Sequence, residues 1–330
     1  MKYFSMFSGI GGFELGIYKG YHSLLGKRYK EGLESIRRNG YSSVFTSKDR
    51  HPQAVGFSEI DKYAIQIYEK HFKGHKAYGN AKDIIPERIQ DFDLLVGGFP
   101  CQSFSVAGKR KGFDDTRGTL FFEIARILKY KRPRYILLEN VKGLLSHDSG
   151  KTFQTILKVL SDIGYRVEWQ VLNSKNFGVP QNRERVFIIG HLRGTSRPKV
   201  FPIKESCGTN DKTIAHTINS SDWRGGNRNQ KQTTIAVLTP DRAEKRQNGR
   251  RFKENGEPSF TLTERDIHGI YDGCNIRRLT PTECERLQGF PDGWTEGISD
   301  TQRYKCLGNA VTVNVIEYII TKLIEGGETD

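Results

Sequence analysis

Gly98-Phe99-Pro100-Cys101-Gln102 carries the side chain with the greatest chemical reach in this 330-residue chain. It follows an apolar run, Leu94-Leu95-Val96, bounded by Asp93 and Gly97, which reads as a short buried strand ending in a glycine turn. A cysteine just past such a strand lies at the carboxyl edge of a sheet, where open α/β folds bind ligands. A thiolate there is a strong nucleophile, and Pro100 fixes the backbone ahead of it. The plain alternative is a small buried hydrophobe in a turn. A second run, Tyr135-Ile136-Leu137-Leu138-Glu139-Asn140-Val141, reads as a buried strand with an acid and an amide at its end. A third, Val179-Pro180-Gln181-Asn182-Arg183-Glu184-Arg185, sets two arginines around an acid just before the strand-like Val186–Ile189. Their ordinary readings are a helix cap for Glu139 and a surface ion pair with Glu184 for the arginines.

Such groups act together only if a sheet gathers them. Residues 2–7 are apolar and aromatic, then comes Ser8-Gly9-Ile10-Gly11-Gly12-Phe13, then a helical pattern from Glu14. Strand, glycine turn and helix let backbone approach a ligand at a helix N-terminus. The spacing is not G-x-G-x-x-G, so no pyrophosphate fingerprint is matched. Ala54 to Asp61 reads as a second strand ending in acids, a common partner of ribose hydroxyls. It comes late because residues 22–50, rich in Lys, Arg, Gly and Ser, read as an insertion. Helical spacing recurs over Lys62–Phe72, Leu120–Leu128 and Thr152–Leu160, and strands over Val167–Leu172 and Val186–Ile189. The alternation predicts an α/β fold with a mostly parallel sheet.

The pattern breaks near His191. Residues 193–276 are rich in Arg, Asn, Gln, Gly and Thr, with strand-like pieces at Thr234–Leu238 and Ser259–Leu262, and read as a small loop-rich module. Order returns at Thr280-Pro281-Thr282-Glu283, a capping box with Pro at the first helical position. Gly289 fits that helix's end, and a final helix is expected over Thr312–Ile324. The expected organisation is one domain from 1–192 and 305–330, a second from 193–276, and a hinge at 277–304. The final helix should return to the sheet beside the first strand.

Net charge is +14 and the isoelectric point about 9.5, so an anionic partner such as nucleic acid is expected. Residues 193–276 are net basic and 277–330 net acidic. Five cysteines, an odd number without zinc spacing, suggest a reducing compartment, no disulfide frame and no metal. With no signal peptide or long apolar span evident, a soluble cytoplasmic protein off the membrane is expected.

Taken in order, Phe7–Phe13, Gly98–Ser105, Leu138–Val141, Val179–Arg185, Arg278–Glu283 and Leu307-Gly308-Asn309-Ala310-Val311 closely resemble the motifs of the cytosine-5 DNA methyltransferases, most of all the small bacterial restriction-modification type. The resemblance covers nearly all of the chain outside 22–50 and 193–276. It implies a Rossmann-like S-adenosylmethionine-dependent methyltransferase sheet with helices on both faces, plus a small target-recognition domain. It implies S-adenosyl-L-methionine as cofactor, duplex DNA as substrate, a bacterial or phage origin, a monomer, and a cognate restriction endonuclease acting separately. Carbon five of cytosine is a poor nucleophile; a thiolate added to carbon six makes it enamine-like and able to attack a sulfonium methyl. Cys101 would be that thiolate. Glu139 would bond the pyrimidine's amine and ring nitrogen three, with Asn140 orienting the loop. Arg183 and Arg185 would favour the thiolate or hold the target's phosphate or base carbonyl.

The same resemblance implies cofactor contacts from Phe7, Ser8, Gly9, Gly11, Gly12, Glu59, Ile60, Asn80, Ala81, Phe99, Pro100, Leu120, Asn309 and Ala310. Asn80 is a departure, since the family often carries Asp there. DNA contacts would come from Gln102, Ser105, Lys109, Arg110, Lys111 and Arg117 beside the cysteine, and from Arg224, Arg228, Thr261 and Thr263 in the recognition domain. Three other readings stay open at this point: a cytosine-5 RNA methyltransferase, a DNA-binding regulator that kept the fold, and a nicotinamide enzyme.

Overall fold

The computed structural model describes residues 1–24, 52–100, 120–195, 198–203, 234–237, 252–253, 257–263, 268–271 and 276–326. The apolar runs become strands β1 (Lys2–Met6), β2 (Gln53–Ser58), β3 (Leu94–Gly98), β4 (Tyr135–Val141), β5 (Tyr165–Asn173) and β6 (Glu184–Leu192). They join one sheet in the order β2-β1-β3-β4-β6-β5. β1 pairs in parallel with β2 and β3, and β3 with β4, whereas β6 runs antiparallel to β4. Parallel strands need crossovers, and helices α1 (Gly12–Leu24), α2 (Lys62–His71) and α3 (Leu120–Lys131) supply them, with α4 (Lys151–Asp162) following β4. Asp61 starts α2 by accepting the Tyr63 and Ala64 N–H groups at 2.9 and 3.3 Å.

Alternate strand residues point to opposite faces, and here both sets are buried. Phe4, Met6, Leu95, Ile136, Leu138, Val186 and Ile188 join Phe121, Ile124 and Leu128 of α3 and Phe153, Ile156 and Leu160 of α4 in one core cluster. The intervening Tyr3, Ser5, Leu94, Val96, Leu137, Phe187 and Ile189 are buried as well. This is the signature of a sheet covered by helices on both sides. The last helix, Val313–Glu325, comes back to α1 at Gly20. A side chain there would come within 2.7 Å of the Glu317 carbonyl oxygen and 3.0 Å of Ile320, so only glycine lets the two helices approach so closely.

The chain divides into two compact units: Met1–Leu172, Glu184–Lys204 and Val315–Asp330 form the first, Asn173–Arg183 and Glu205–Asn314 the second. The cuts fall elsewhere than the expected domain boundaries, with 173–183 and 277–314 going to the second unit. That unit holds an antiparallel sheet of β7 (Thr234–Val237), β8 (Phe252–Lys253), β9 (His268–Tyr271) and β10 (Ile276–Arg278), ordered β10-β9-β7-β8. It also holds helices α5 (Pro281–Leu287) and α6 (Asp300–Asn309), while α7 (Val313–Glu325) starts there and ends in the first unit. The capping box at Thr280 and Glu283 forms as expected, and Gly289 follows α5 with φ +79°.

Three expectations need correction. Residues 22–24 belong to α1, with His22 buried, and not to an insertion; the rest of 22–50 lies outside the described residues. Ser259–Leu262 is not a strand; it makes an isolated parallel bridge, Gln181 to Ser259. By length and apolar content alone, Asp300–Glu325 could cross a membrane. It is two helices, however, and Val313, Ile316, Ile319, Ile320 and Leu323 are buried, as core residues are.

Candidate active site at the carboxyl edge of the parallel strands

In the first unit four strand ends lie side by side. Met6 is level with Ser58 on one side and Gly97 on the other, and Gly98 is level with Glu139. The exit of β1 is coiled tightly: Phe7, Gly9 and Gly11 have φ of 55°, 54° and 86°. A side chain at Gly11 would collide with the Phe72 ring, which accounts for glycine at that point. Ser8 is buried, and its hydroxyl is taken up by the carbonyls of Ser5 (3.3 Å) and Ser58 (3.4 Å). Gly12 opens α1.

The exit of β2 supplies an acid held at fixed aim. Glu59 accepts the Gly9 N–H on Oε2 at 2.8 Å, and the Ile60 and Asp61 N–H groups on Oε1 at 2.7 and 2.9 Å. A carboxylate offers about four acceptor sites, so Glu59 retains one for a ligand hydroxyl. Beside it Ile60 is 71% exposed, an unusual setting for so large an apolar side chain. The Ser58 hydroxyl grips the Gly79 carbonyl at 2.7 Å. Arg126 of α3 donates to the carbonyls of Ala81 at 3.1 Å and Ile84 at 2.8 Å. Gly79-Asn80-Ala81 is thereby pinned next to Glu59, with Asn80 exposed and Ala81 buried. The Asn80 side-chain oxygen already accepts from the Lys82 N–H at 3.1 Å, so its amide N–H₂ is its freer face. Leu120, at the start of α3, is half-buried.

The exits of β3 and β4 are tied together. Asn140 is buried; its amide donates to the Phe99 carbonyl at 2.7 Å and its oxygen accepts the Val141 N–H at 2.8 Å. This fixes Phe99, itself buried, just before Pro100. Glu139 Oε1 pairs with Arg185 Nε at 3.0 Å, with both side chains mostly buried. A side chain at Gly98 would come within 3.2 Å of Glu139 Oε2, so glycine keeps that oxygen's surroundings open. Arg185 is placed by β6, level with Val141. Glu184 pairs with Lys142 at 2.9 Å, so the ion pair with the neighbouring arginines is not what forms.

Arg183 differs from Arg185. It lies in the second unit, 2% exposed, with its guanidinium turned onto main-chain carbonyls. Asn309, exposed, and Ala310, buried, are in that unit, as are Thr261 and Thr263. The Thr261 hydroxyl is given to the Asn182 carbonyl at 2.6 Å. Cys101, Gln102, Ser105, Lys109, Arg110, Lys111, Arg117, Arg224 and Arg228 lie outside the described residues.

Two groups had no role in the sequence reading. Gln181, fully buried, stands two residues before Arg183, and the alternation of long polar side chains was its only signal. Glu14, in the first turn of α1, is also buried. Tyr68 donates to it at 3.0 Å and shares a 3.1 Å hydrogen bond with His75. Burial pushes the Glu14 carboxyl up to about 7 and His75 down to about 4.

The family model for C-5 cytosine-specific DNA methylases matches residues 1–234 and 203–325. The Type II methyltransferase M1.ScrFI of Lactococcus lactis subsp. cremoris is 38% identical, covering 98% of this chain and 78% of its own length. M.NlaX of Neisseria lactamica is 37% identical, covering 98% and 96%. Among solved structures, the S. pombe Dnmt2 methyltransferase aligns with a TM-score of 0.63 at 20% identity over 98% of both chains, a likeness of fold.

Proposed function

Because this chain belongs to the C-5 cytosine-specific DNA methylase family, it methylates carbon five of cytosine in DNA, and we propose how its residues divide the work. The methyl donor is S-adenosyl-L-methionine, which supplies an electrophilic sulfonium methyl. The first unit's edge fits it. Glu59 keeps one acceptor for a ribose hydroxyl, Ile60 offers an open apolar face to adenine, and the coiled Phe7–Gly12 backbone faces the methionine part. Asn80, Ala81, Phe99, Pro100, Leu120, Asn309 and Ala310 complete the set.

Cytosine inside a duplex is out of a nucleophile's reach, so it is flipped out at a cost of a few kcal/mol. The Cys101 thiolate adds to carbon six, and the electron pair of the ring's 5,6 double bond moves toward carbon five and nitrogen three. Glu139 bonds the exocyclic amine and donates a proton at nitrogen three as that charge grows. Arg185 holds Glu139 through one oxygen and leaves the other for the base. After transfer, the carbon-five proton leaves to an acceptor and the thiolate is expelled. Residues 193–276 form the target-recognition domain and 277–304 the hinge. Gln102, Ser105, Lys109, Arg110, Lys111, Arg117, Arg224, Arg228, Thr261 and Thr263 contact DNA. The protein works in the cytoplasm as a monomer, and the Type II names of its relatives favour a restriction endonuclease acting separately.

One observation carries the mechanism: a carboxyl gripped on a single oxygen stands at the same strand edge as the Asn140-anchored chain leading into Cys101. A duplex with 5-fluorocytosine at the target, incubated with the donor, is expected to trap the wild-type protein covalently. Cys101→Ser should still bind DNA but neither trap nor methylate. Wild-type activity in that variant would end the covalent mechanism.

A further inference from the structure

Residues 180–183 run extended alongside 259–262. Asn182 N–H donates to the Ser259 carbonyl at 2.9 Å, and Ser259 N–H to the Pro180 carbonyl at 2.8 Å. One step further on, side chains replace the backbone ladder. The Leu262 N–H donates to Gln181 Oε1 at 3.0 Å, and the Leu262 carbonyl accepts from Arg183 Nη1 at 2.8 Å. Both main-chain groups of one residue are thus held by two side chains at i and i+2. The same side chains reach elsewhere with their other ends. Arg183 Nη2 donates to the carbonyls of Gly308 at 3.2 Å and Ala310 at 2.8 Å, and Gln181 Nε2 to the Leu287 carbonyl at 2.8 Å.

A buried guanidinium is tolerated only when hydrogen-bonded, and this one is bonded to three carbonyls. Its planar fork can point at two segments at once, which a lysine ammonium on a flexible stem cannot do with the same fixed geometry. We propose that Arg183 is a positioning residue, a clasp that holds Thr261-Leu262-Thr263 and Gly308-Asn309-Ala310 at one spacing so that DNA contact and cofactor contact are set together, with Gln181 bracing Leu262 from its N–H side. The proposal rests on the assignment above of Thr261 and Thr263 to DNA and of Asn309 and Ala310 to the cofactor. It gives Arg183 a positioning role and leaves Arg185 as the arginine paired with Glu139.

The test is Arg183→Lys in the full chain, on a duplex carrying the target site, identified beforehand by base-resolution methylation sequencing. KM for the methyl donor and KM for DNA should rise together, each by about tenfold, as expected for loss of one charge-assisted bond. At saturation of both, kcat should stay within about twofold, and the pH midpoint of covalent trapping should not move. A rise in only one KM, or a shifted pH midpoint with both KM values intact, overturns the clasp. If Arg183→Lys does not fold, Arg183→Gln, which keeps an amide donor for these carbonyls, should give the same paired rise, and a rise in one KM alone would count equally against it. Titration with S-adenosylhomocysteine and with duplex DNA gives the paired loss as dissociation constants without turnover. If wild type fails to trap while those titrations move together in Arg183→Lys, the covalent mechanism is wrong and the clasp stands.

Discussion

At the strand edge of the first unit, Glu139 is held through one oxygen by Arg185, Glu59 keeps one acceptor after taking three N–H groups, and Ile60 stands in the open. Around Leu262 in the second unit, Gln181 and Arg183 have committed their amide and guanidinium groups to main-chain partners in a buried setting. Residue types are similar in the two places; their partners are not, a carboxyl at a strand edge in one and buried main-chain carbonyls in the other. Arg183 and Arg185 make the contrast sharpest, being two positions apart with one serving a carboxyl at a ligand edge and the other a joint. Groups placed firmly with an oxygen or face still open to a ligand can serve a reaction, whereas groups buried among main-chain partners serve the geometry.

The largest expected effect is on the side with the open oxygen. Glu139→Gln keeps the shape but cannot supply the proton at nitrogen three, and kcat should fall about 10³-fold, with both KM values within a fewfold of wild type. Single-turnover methylation of a target duplex reads this directly. A kcat within tenfold of wild type would mean that the open carboxyl is not what makes the edge reactive.

On the joint side the loss should appear in folding. Arg183→Met removes the donor from three buried carbonyls, each costing about 1–3 kcal/mol when left unpaired, partly recovered by water and relaxation. A loss of about 4 kcal/mol in urea unfolding is expected, against about 1–2 kcal/mol for Arg185→Met, whose mostly buried pair with Glu139 still lies at an edge open to water, and whose main cost should be in kcat. If the two variants lose equal stability, the division between the regions fails.

That division could not be seen in the sequence. The strands, the glycine turn after β1 and the capping box at Thr280 were legible, because apolar runs, positive-φ glycines and cap residues act locally. The motifs also pointed to the family that the wider comparison supports. The two arginines were not separable, since their difference depends on which unit the backbone is leaving at 183/184. Ser259–Leu262 looked like a strand because it is alternately apolar and polar, yet its partners past Ser259 are side chains. Of the second sheet, β7 was legible at Thr234–Leu238, while its other strands, of two to four residues, are too short to show a period. Glu14 was invisible as a buried acid because its partner Tyr68 lies 54 residues away.

Glu14 tests the comparison from beneath the Gly9–Gly12 turn. Its carboxyl is pushed from 4.5 up to about 7, chiefly by burial, with Glu59 adding repulsion. Between those pH values the folded protein keeps a proton that the unfolded chain has lost, so this group's contribution falls as pH rises, by about 3 kcal/mol in all. His75, pushed by burial from 6.5 down to about 4, acts in the opposite sense, because there the unfolded chain holds the extra proton. The two slopes largely cancel, and wild-type stability should be nearly flat from pH 4.5 to 6.5. Glu14→Gln removes the falling slope. Its urea midpoint should climb with pH over that window and exceed wild type above pH 7. A flat curve in the variant would show that the two groups do not titrate as a linked pair.

Asn140 decides whether location or partners govern. It belongs to the open edge by location, yet its amide is committed like Arg183, with N–H₂ to the Phe99 carbonyl and oxygen to the Val141 N–H. By its partners it should serve the geometry, holding the chain ahead of Cys101 rather than meeting the base. Asn140→Ala should then cost about 1 kcal/mol of stability. It should lower kcat about tenfold, since a small misplacement of a reacting group is costly, while the pH dependence of trapping stays that of wild type. Asn140→Asp, which retains the acceptor for Val141 but not the donor to Phe99, should behave like Asn140→Ala. If the aspartate variant instead shifted the pH dependence of trapping, Asn140 would be acting on the charge at the reacting centre, and location would outrank partners.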